Sequence, residues 1–277
     1  MCQLFGINAS GPMSPQDYLR GFFCRGGGTS DHKDGWGLAY HSQGSALLNV
    51  RTSSAHDCTL ARSLLQQLPN SNSLVAHIRK ATMGAVELRN SHPFRRRLWG
   101  YDWVFAHNGD LKTFHREHGG RYTPVGDTDS EAAFCHLLNA LVDRFGEFEQ
   151  PPFATVRETL RQESRKIAKH GTFNFLLMVG DLLITYGTTD LYWLELDKTI
   201  PRSQLVDVDQ AWVDHHRVLQ GNERAIVVAT HPLTDDPRWQ RYDANDMKVF
   251  AHGLMVEEAS TSEDTQHAVP DKNSKAA

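Results

Sequence analysis

The chain reads as an α+β fold of stacked layers, and three observations predict it. Ten short runs rich in β-branched or aromatic residues crowd its two ends. The longest helical patterns lie between them. Strands and helices do not alternate as a βαβ fold requires. In the first half the strand runs are 2–8, 36–41, 45–50, 73–79 and 102–108. In the second half they are 172–180, 182–187, 191–196, 225–230 and 248–253, and turn residues bound most of them. Ser14 followed by Pro15 reads as an N-cap and first-turn proline for a helix over "QDYLRGFF". The segment 56–68 has helical apolar spacing. Thr128 and Glu131 form a capping-box pattern that opens a helix over 128–145. The segment 153–171 has a polar face and closes on basic residues and a glycine. No internal repeat or long linker interrupts residues 2–256, which are expected to form one domain. The polar, small-residue stretch 257–277 is expected to be a disordered tail.

Composition narrows the function classes. Of 277 residues, 40% are hydrophobic and 22% charged, which is ordinary for a globular protein. A net charge of -4 argues against a nucleic-acid binder or a membrane-surface protein. No run approaches the ~20 apolar residues of a membrane span. The first ten residues carry no Lys or Arg and no long apolar run, so no signal peptide is expected. Cys2, Cys24, Cys58 and Cys135 form no C-x-x-C pair, which fits free thiols in a reducing cytoplasm.

Cys2 is the unusual placement. Chain ends fray, and a core thiol gains nothing there. If Met1 is removed, Cys2 carries both a thiol and a free α-amine. A thiolate is the competent nucleophile. The amine, titrating near ~7.7–8.0, can serve as its base directly or through a water. One residue would then supply nucleophile and base.

Other segments add candidate partners. Asn108 and Gly109 follow an apolar strand. An Asn amide and a Gly N–H there can point the same way, as an oxyanion hole requires, or form an ordinary hairpin turn. Arg79 alternates with apolar neighbours and projects from a sheet. Its planar fork suits a substrate carboxylate, or a salt bridge to a nearby Asp or Glu. "GDTDSE" (126–131) sets three carboxylates at alternate positions. These could cap a helix, bind a hard cation, or, through Asp129, hold a substrate ammonium. The glycine-rich 25–37 lacks a phosphate-loop ending and reads as backbone approaching the site closely. The histidine clusters at 115–118 and 214–217 lack metal-site spacing, so no metal or other cofactor is expected. The arginines at 95–97 read as a solvated loop or a patch for an anionic partner.

Taken together and in order, Cys2, "RGGG…DGWG", "HIRKAT", "SHPF", "HNG" and "DTDSE" resemble the class II glutamine amidotransferases. These are N-terminal-nucleophile hydrolases, and more narrowly the chain looks like their stand-alone YafJ-like group. "FNFLL" and "ATHPLT" also look like strands of this family, so the resemblance covers about residues 2–255. It implies a four-layer αββα sandwich of two antiparallel sheets and glutamine or a γ-glutamyl compound as acyl donor. By the same resemblance Cys2 is the nucleophile, and Asn108 with the Gly109 N–H forms the oxyanion hole. Arg79 holds the glutamine carboxylate and Asp129 its ammonium. Thr82 and His92 line the site, and Arg25 orders the N-terminus. Lys80 stands where the family usually has tryptophan, and Met83 where some members have histidine, which changes the pocket wall. The chain ends soon after the glutaminase region, so no fused synthase region is expected. The resemblance therefore implies either a synthase partner accepting ammonia in trans or a γ-glutamyl amide hydrolase of thiol metabolism. An N-terminal-nucleophile hydrolase of other amides and a degenerate binding subunit are the competing readings. The intact Cys, Asn-Gly, Arg and Asp set argues against the latter.

Overall fold

A computed structural model describes residues 2–115, 119–221 and 224–256. The expected tail at 257–277 and most of the 115–118 histidine cluster lie outside the described residues. The elements run in order β1 (Gln3–Met13), α1 (Gln16–Cys24), β2 (Trp36–Ser42), β3 (Ser45–Arg51), α2 (Thr59–Gln67), β4 (Ser71–Ile78), β5 (Phe94–Leu98) and β6 (Tyr101–Asp110). They continue with α3 (Asp129–Phe145), α4 (Phe153–Ile167), β7 (Thr172–Val179), β8 (Leu182–Gly187), β9 (Tyr192–Leu196), β10 (Arg202–Gln204) and β11 (Trp212–Asp214). The last are α5 (His215–Leu219), β12 (Ala225–Ala229), β13 (Gln240–Arg241), β14 (Asp246–Ala251) and β15 (Leu254–Met255).

Two large antiparallel sheets result. The first has the order β13-β9-β12-β1-β4-β2-β3, and the second β15-β14-β8-β7-β6-β5. The period of two along each strand sorts their side chains into layers. On β1, Phe5 and Ile7 pack with Tyr18, Leu19 and Phe22 of α1. On β6 and β7, Phe105 and Phe175 pack with Phe134 and Leu137 of α3 and with Leu160 of α4. The opposite faces meet one another through Leu4, Val75, Val104, Ala106, Leu176 and Leu183. The architecture is thus helices, sheet, sheet, helices, as expected. Gly6 faces the second sheet, where a Cβ would stand only 2.9 Å from Leu176 Cδ1.

Some expectations are corrected. Ser14 does not cap α1. Its hydroxyl turns to the Gln16 side chain, and Pro15 takes the cap position without a side-chain bond. The arginines at 95–97 are not a loop, for they lie on β5, paired with β6, with Arg95 and Arg97 exposed. Arg95 donates to the Ala46 carbonyl (2.9 Å), Arg96 pairs with the buried Glu131 (2.5 Å), and Arg97 donates to the Gly100 carbonyl (3.1 Å). The predicted helices over 56–68 and 153–171 are shorter, and the second ends in a 3₁₀ turn at Ala168–His170. His215 is structural: it is buried between Ser203 Oγ (2.9 Å) and the Ile200 carbonyl (2.7 Å). No group of three potential metal ligands assembles among the described residues. No helix among them is long and apolar enough to cross a membrane.

Candidate active site

The site forms where three strands end together. Just before β1, Cys2 continues the parity of Leu4 and Gly6, which face the other sheet. On β4, the parity of Val75 continues through His77 to Arg79. On β6, the parity of Val104 and Ala106 continues to Asn108. Antiparallel pairing of Gln3 with Ile78 sets the start of β1 beside the end of β4.

Cys2 Sγ accepts from the Lys80 N–H and also faces the Lys80 carbonyl, each at 3.4 Å. Burial pushes its thiol above the ordinary range, and the Asp129 carboxylate adds to that. The Lys80 N–H and the Arg79 charge oppose it. Arg79 and Asp129 therefore both act electrostatically on the thiol, in opposite senses.

Among the described residues Arg79 makes no salt bridge, and loop carbonyls occupy its guanidinium. Its Nη1 donates to the Ala85 carbonyl (3.0 Å) and its Nη2 to those of Met83 (3.0 Å) and Gly84 (3.1 Å). The arginine thus shapes the 83–85 loop, where Gly84 has a φ of +76°. Its backbone is held against the glycine-rich loop: the Arg79 N–H donates to the Gly35 carbonyl at 2.8 Å. Thr82 is exposed on the same loop.

Asn108 and Gly109 do not form a turn. β6 continues through them to Asp110, pairing Asn108 with Asn174 and Gly109 with Phe173 of β7. Gly109 is required by close approach, since a Cβ there would overlap the Thr172 carbonyl oxygen. Asn108 is fully buried. Its Nδ2 donates to Thr230 Oγ1 at 3.3 Å, and its Oδ1 has no hydrogen-bond donor among the described residues.

Helix α3 delivers Asp129. Thr128 caps it by accepting from the Glu131 N–H (3.2 Å), while Glu131 bonds Arg96 and the Gly126 N–H rather than closing the box on Thr128. Asp129 Oδ2 accepts from the Leu111 N–H (2.7 Å) and Oδ1 from the Ser130 N–H (2.8 Å). The adjacent His107 faces α3. Its Nε2–H donates to the Thr172 carbonyl (3.1 Å), which leaves Nδ1 as the acceptor for Ser130 Oγ (2.8 Å). This pair braces β6 against α3, and burial keeps the imidazole neutral by lowering its pKa.

His92 lies in the interior rather than on an open wall. Its ring packs on His77, with centroids 4.2 Å apart, and on Phe94 at 4.5 Å. Neither of its ring nitrogens has a hydrogen-bond partner among the described residues. Burial depresses both histidines, His77 to about 3. Arg25 ties distant segments together. It pairs with Asp207 (2.7 Å), donates to the His231 (2.9 Å) and Pro232 (2.6 Å) carbonyls, and reaches Gln3 Oε1 at 3.5 Å. It therefore reaches Gln3, the residue next to Cys2.

The sequence matches the family of glutamine amidotransferases class-II over residues 1–274. This chain is a class II glutamine amidotransferase by family. It is 35% identical over 257 residues to YafJ of Escherichia coli (strain K12), a glutamine amidotransferase by name, covering 92% of this chain and 100% of that one. Among solved structures it is similar to a predicted glutamine amidotransferase from Pseudomonas aeruginosa PA01. That match has a TM-score of 0.71 and 31% identity, over 92% of this chain and 100% of the other. The fold is also shared with the allosteric regulatory enzyme of purine biosynthesis, with a TM-score of 0.58 and 17% identity. That match covers 92% of this chain and 48% of the larger one.

Reasoning from sequence passed over two residues that the structure brings to this candidate site. Ser130 stands inside "DTDSE" but reads only as a helix start. Thr230 follows the five buried residues of β12. A polar side chain continuing such a run is the signal that could have found it.

Proposed function

We propose that this chain hydrolyses the side-chain amide of glutamine, or of a γ-glutamyl compound, with Cys2 as nucleophile once Met1 is removed. One observation carries this reading: Cys2, Arg79 and Asn108 project from three strand ends of two sheets into one layer, and Asp129 acts on the same thiol.

Burial raises the thiol, so the thiolate does not form unaided at neutral pH and a base is needed. The α-amine of Cys2 takes the thiol proton, directly or through a water. Sγ then attacks the amide carbon, and the carbonyl electron pair moves onto oxygen. The oxyanion is met by Asn108 Nδ2 and the Gly109 N–H, which are fixed in the strand before reaction begins. As the C–N bond breaks, the ammonium returns its proton to the leaving nitrogen and ammonia departs. Water attacks the γ-glutamyl thioester, the amine accepts its proton, and the thiol is restored with release of the acid.

Arg79 takes the substrate carboxylate by exchanging the Met83, Gly84 and Ala85 carbonyls for it, a neutral set replaced by a charge-assisted pair. Asp129 takes the ammonium with the lone pairs left by Leu111 and Ser130. Thr82 serves from the exposed loop, His92 backs the site from the core, and Arg25 orders the N-terminus through Gln3. The reaction needs a reduced thiol, which a reducing cytoplasm supplies. Ammonia is released to solvent unless an acceptor synthase is bound in trans.

The test is the intact mass before and after exposure to diazo-oxo-norleucine, a reactive glutamine analogue. Loss of Met1 and one adduct mapping to Cys2 are expected. A retained Met1, or a processed Cys2 that takes no adduct, overturns the reading.

A further inference from the structure

Thr230 stands immediately after β12, is 2% exposed, and makes three bonds. Its N–H donates to the Leu4 carbonyl (3.1 Å), and its Oγ1 accepts the Leu4 N–H (2.8 Å). Backbone and side chain of one residue thus satisfy both main-chain groups of Leu4, one step beyond the Phe5–Ala229 pair that ends the β1–β12 ladder. The same Oγ1 lies 3.3 Å from Asn108 Nδ2, on the other sheet. One hydroxyl therefore joins the strand that begins beside Cys2 to the strand that carries Asn108.

Its valences restrict what it can do. A hydroxyl has one proton and two lone pairs. Leu4 fills one lone pair. If Asn108 donates to the other, Asn108 Oδ1 is left buried without a donor, an arrangement that proteins avoid. Turning the amide by half a revolution gives Oδ1 a donor and moves the unpartnered position to Nδ2, which among the described residues then has no acceptor until an oxyanion is present. The Thr230 O–H then donates to Oδ1, and Nδ2 takes the opposite side with both protons free. Thr230 itself is immobilised, because Arg25 holds the carbonyls of the next two residues, His231 and Pro232.

We propose that Thr230 is a positioning residue: its hydroxyl sets the direction of the Asn108 amide and anchors Leu4 so that Cys2 and the Asn108 N–H address one carbonyl group. This rests on the reading of Cys2 as nucleophile given above.

The test is steady-state glutaminase kinetics of Thr230→Val, Thr230→Ser, Asn108→Ala, Cys2→Ala and the double variant Thr230→Val/Asn108→Ala, each with a melting curve. Thr230→Val keeps the shape but neither accepts nor donates. Its kcat should fall about 10²–10³-fold, as for loss of one oxyanion donor, with little change in KM. Thr230→Ser should recover most of the rate. Adding Thr230→Val to Asn108→Ala should lower kcat little further, because both remove the same donor. A wild-type kcat in Thr230→Val, equal losses in the Val and Ser variants, or fully multiplicative losses in the double variant overturns the inference. If Thr230→Val does not fold, Thr230→Cys, a weaker donor and acceptor, replaces it. An intermediate loss is then expected, and wild-type kcat overturns the inference. Turnover surviving in Cys2→Ala instead overturns the nucleophile reading beneath it.

Discussion

The layer between the two sheets changes character along its length. At its middle, Gly6, Val75 and Ala106 meet Leu176 and Leu183, closely packed and apolar. One step of the same parity toward the strand ends, the positions are Leu4, His77 and Asn108. One step further on β1 and β4 they are Cys2 and Arg79. Strands and faces are the same, and only the side chains differ. The site is therefore the end of the core with its alternation intact, not an insertion into it. It tolerates polar groups because other elements bond them: loop carbonyls for Arg79, a hydroxyl from the first sheet for Asn108. The histidine pair is the exception, since burial keeps it neutral instead.

Substitutions at the polar end should abolish function while sparing the fold, and substitutions toward the middle should do the reverse. The largest effect is expected from Cys2→Ala. Glutaminase turnover should fall at least about 10⁴-fold with an unchanged melting temperature, because the variant loses the proposed nucleophile and no packing. A parallel loss of stability would show that the two ends of the layer are not separable. Asn108→Ala should lower kcat by about 10²–10³-fold, measured under saturating glutamine. Arg79→Ala should act chiefly on binding, raising KM roughly 10- to 100-fold, as expected for loss of hydrogen bonds to a charged group. A large fall in kcat at unchanged KM would instead mean that its three loop carbonyls are its main task.

The histidine pair sharpens the comparison through pH. Both folded-state pKa values lie below the unfolded value near ~6.5, so the unfolded chain binds more protons in that interval. Their contribution to stability is complete above pH ~6.5 and is lost as pH falls, for His77 down to about 3. Each histidine should add up to about 1.4 kcal/mol per pH unit to the slope of unfolding free energy. Urea titrations between neutral and acid pH should show that slope, and His92→Phe should flatten it. The smallest effect is expected from Thr128→Ala. It removes the α3 cap, and chemical denaturation should read a loss of about 1 kcal/mol.

Much of this was legible in the residues themselves. The β-branched and aromatic runs located most strands, and the period of two along 73–79 already projected Arg79 from a sheet. β5 was not legible, because three consecutive arginines look solvated. Their partners, Ala46, Glu131 and Gly100, include two that lie far off in sequence. Ser14 beside Pro15 looked like a cap because local pattern cannot show a hydroxyl preferring the Gln16 side chain. Cys2 and Asn108–Gly109 were visible by position and type. Arg79 was visible too, but the carbonyls that occupy its guanidinium depend on how the next loop folds back. Thr230 was hidden for a plainer reason: its partner Leu4 lies 226 residues away, and Asn108 lies 122 away.

The first strand carries a further consequence. It begins beside the end of the chain, yet it is flanked by β12 on one side and β4 on the other. Amide protons from Phe5 to Asn8 sit in ladders on both edges. Ends of chains ordinarily exchange their amide hydrogens with solvent through local fraying, whereas doubly paired central strands exchange only when the whole domain opens. In deuterium, then, the peptide that follows Cys2 should be among the last to take up label.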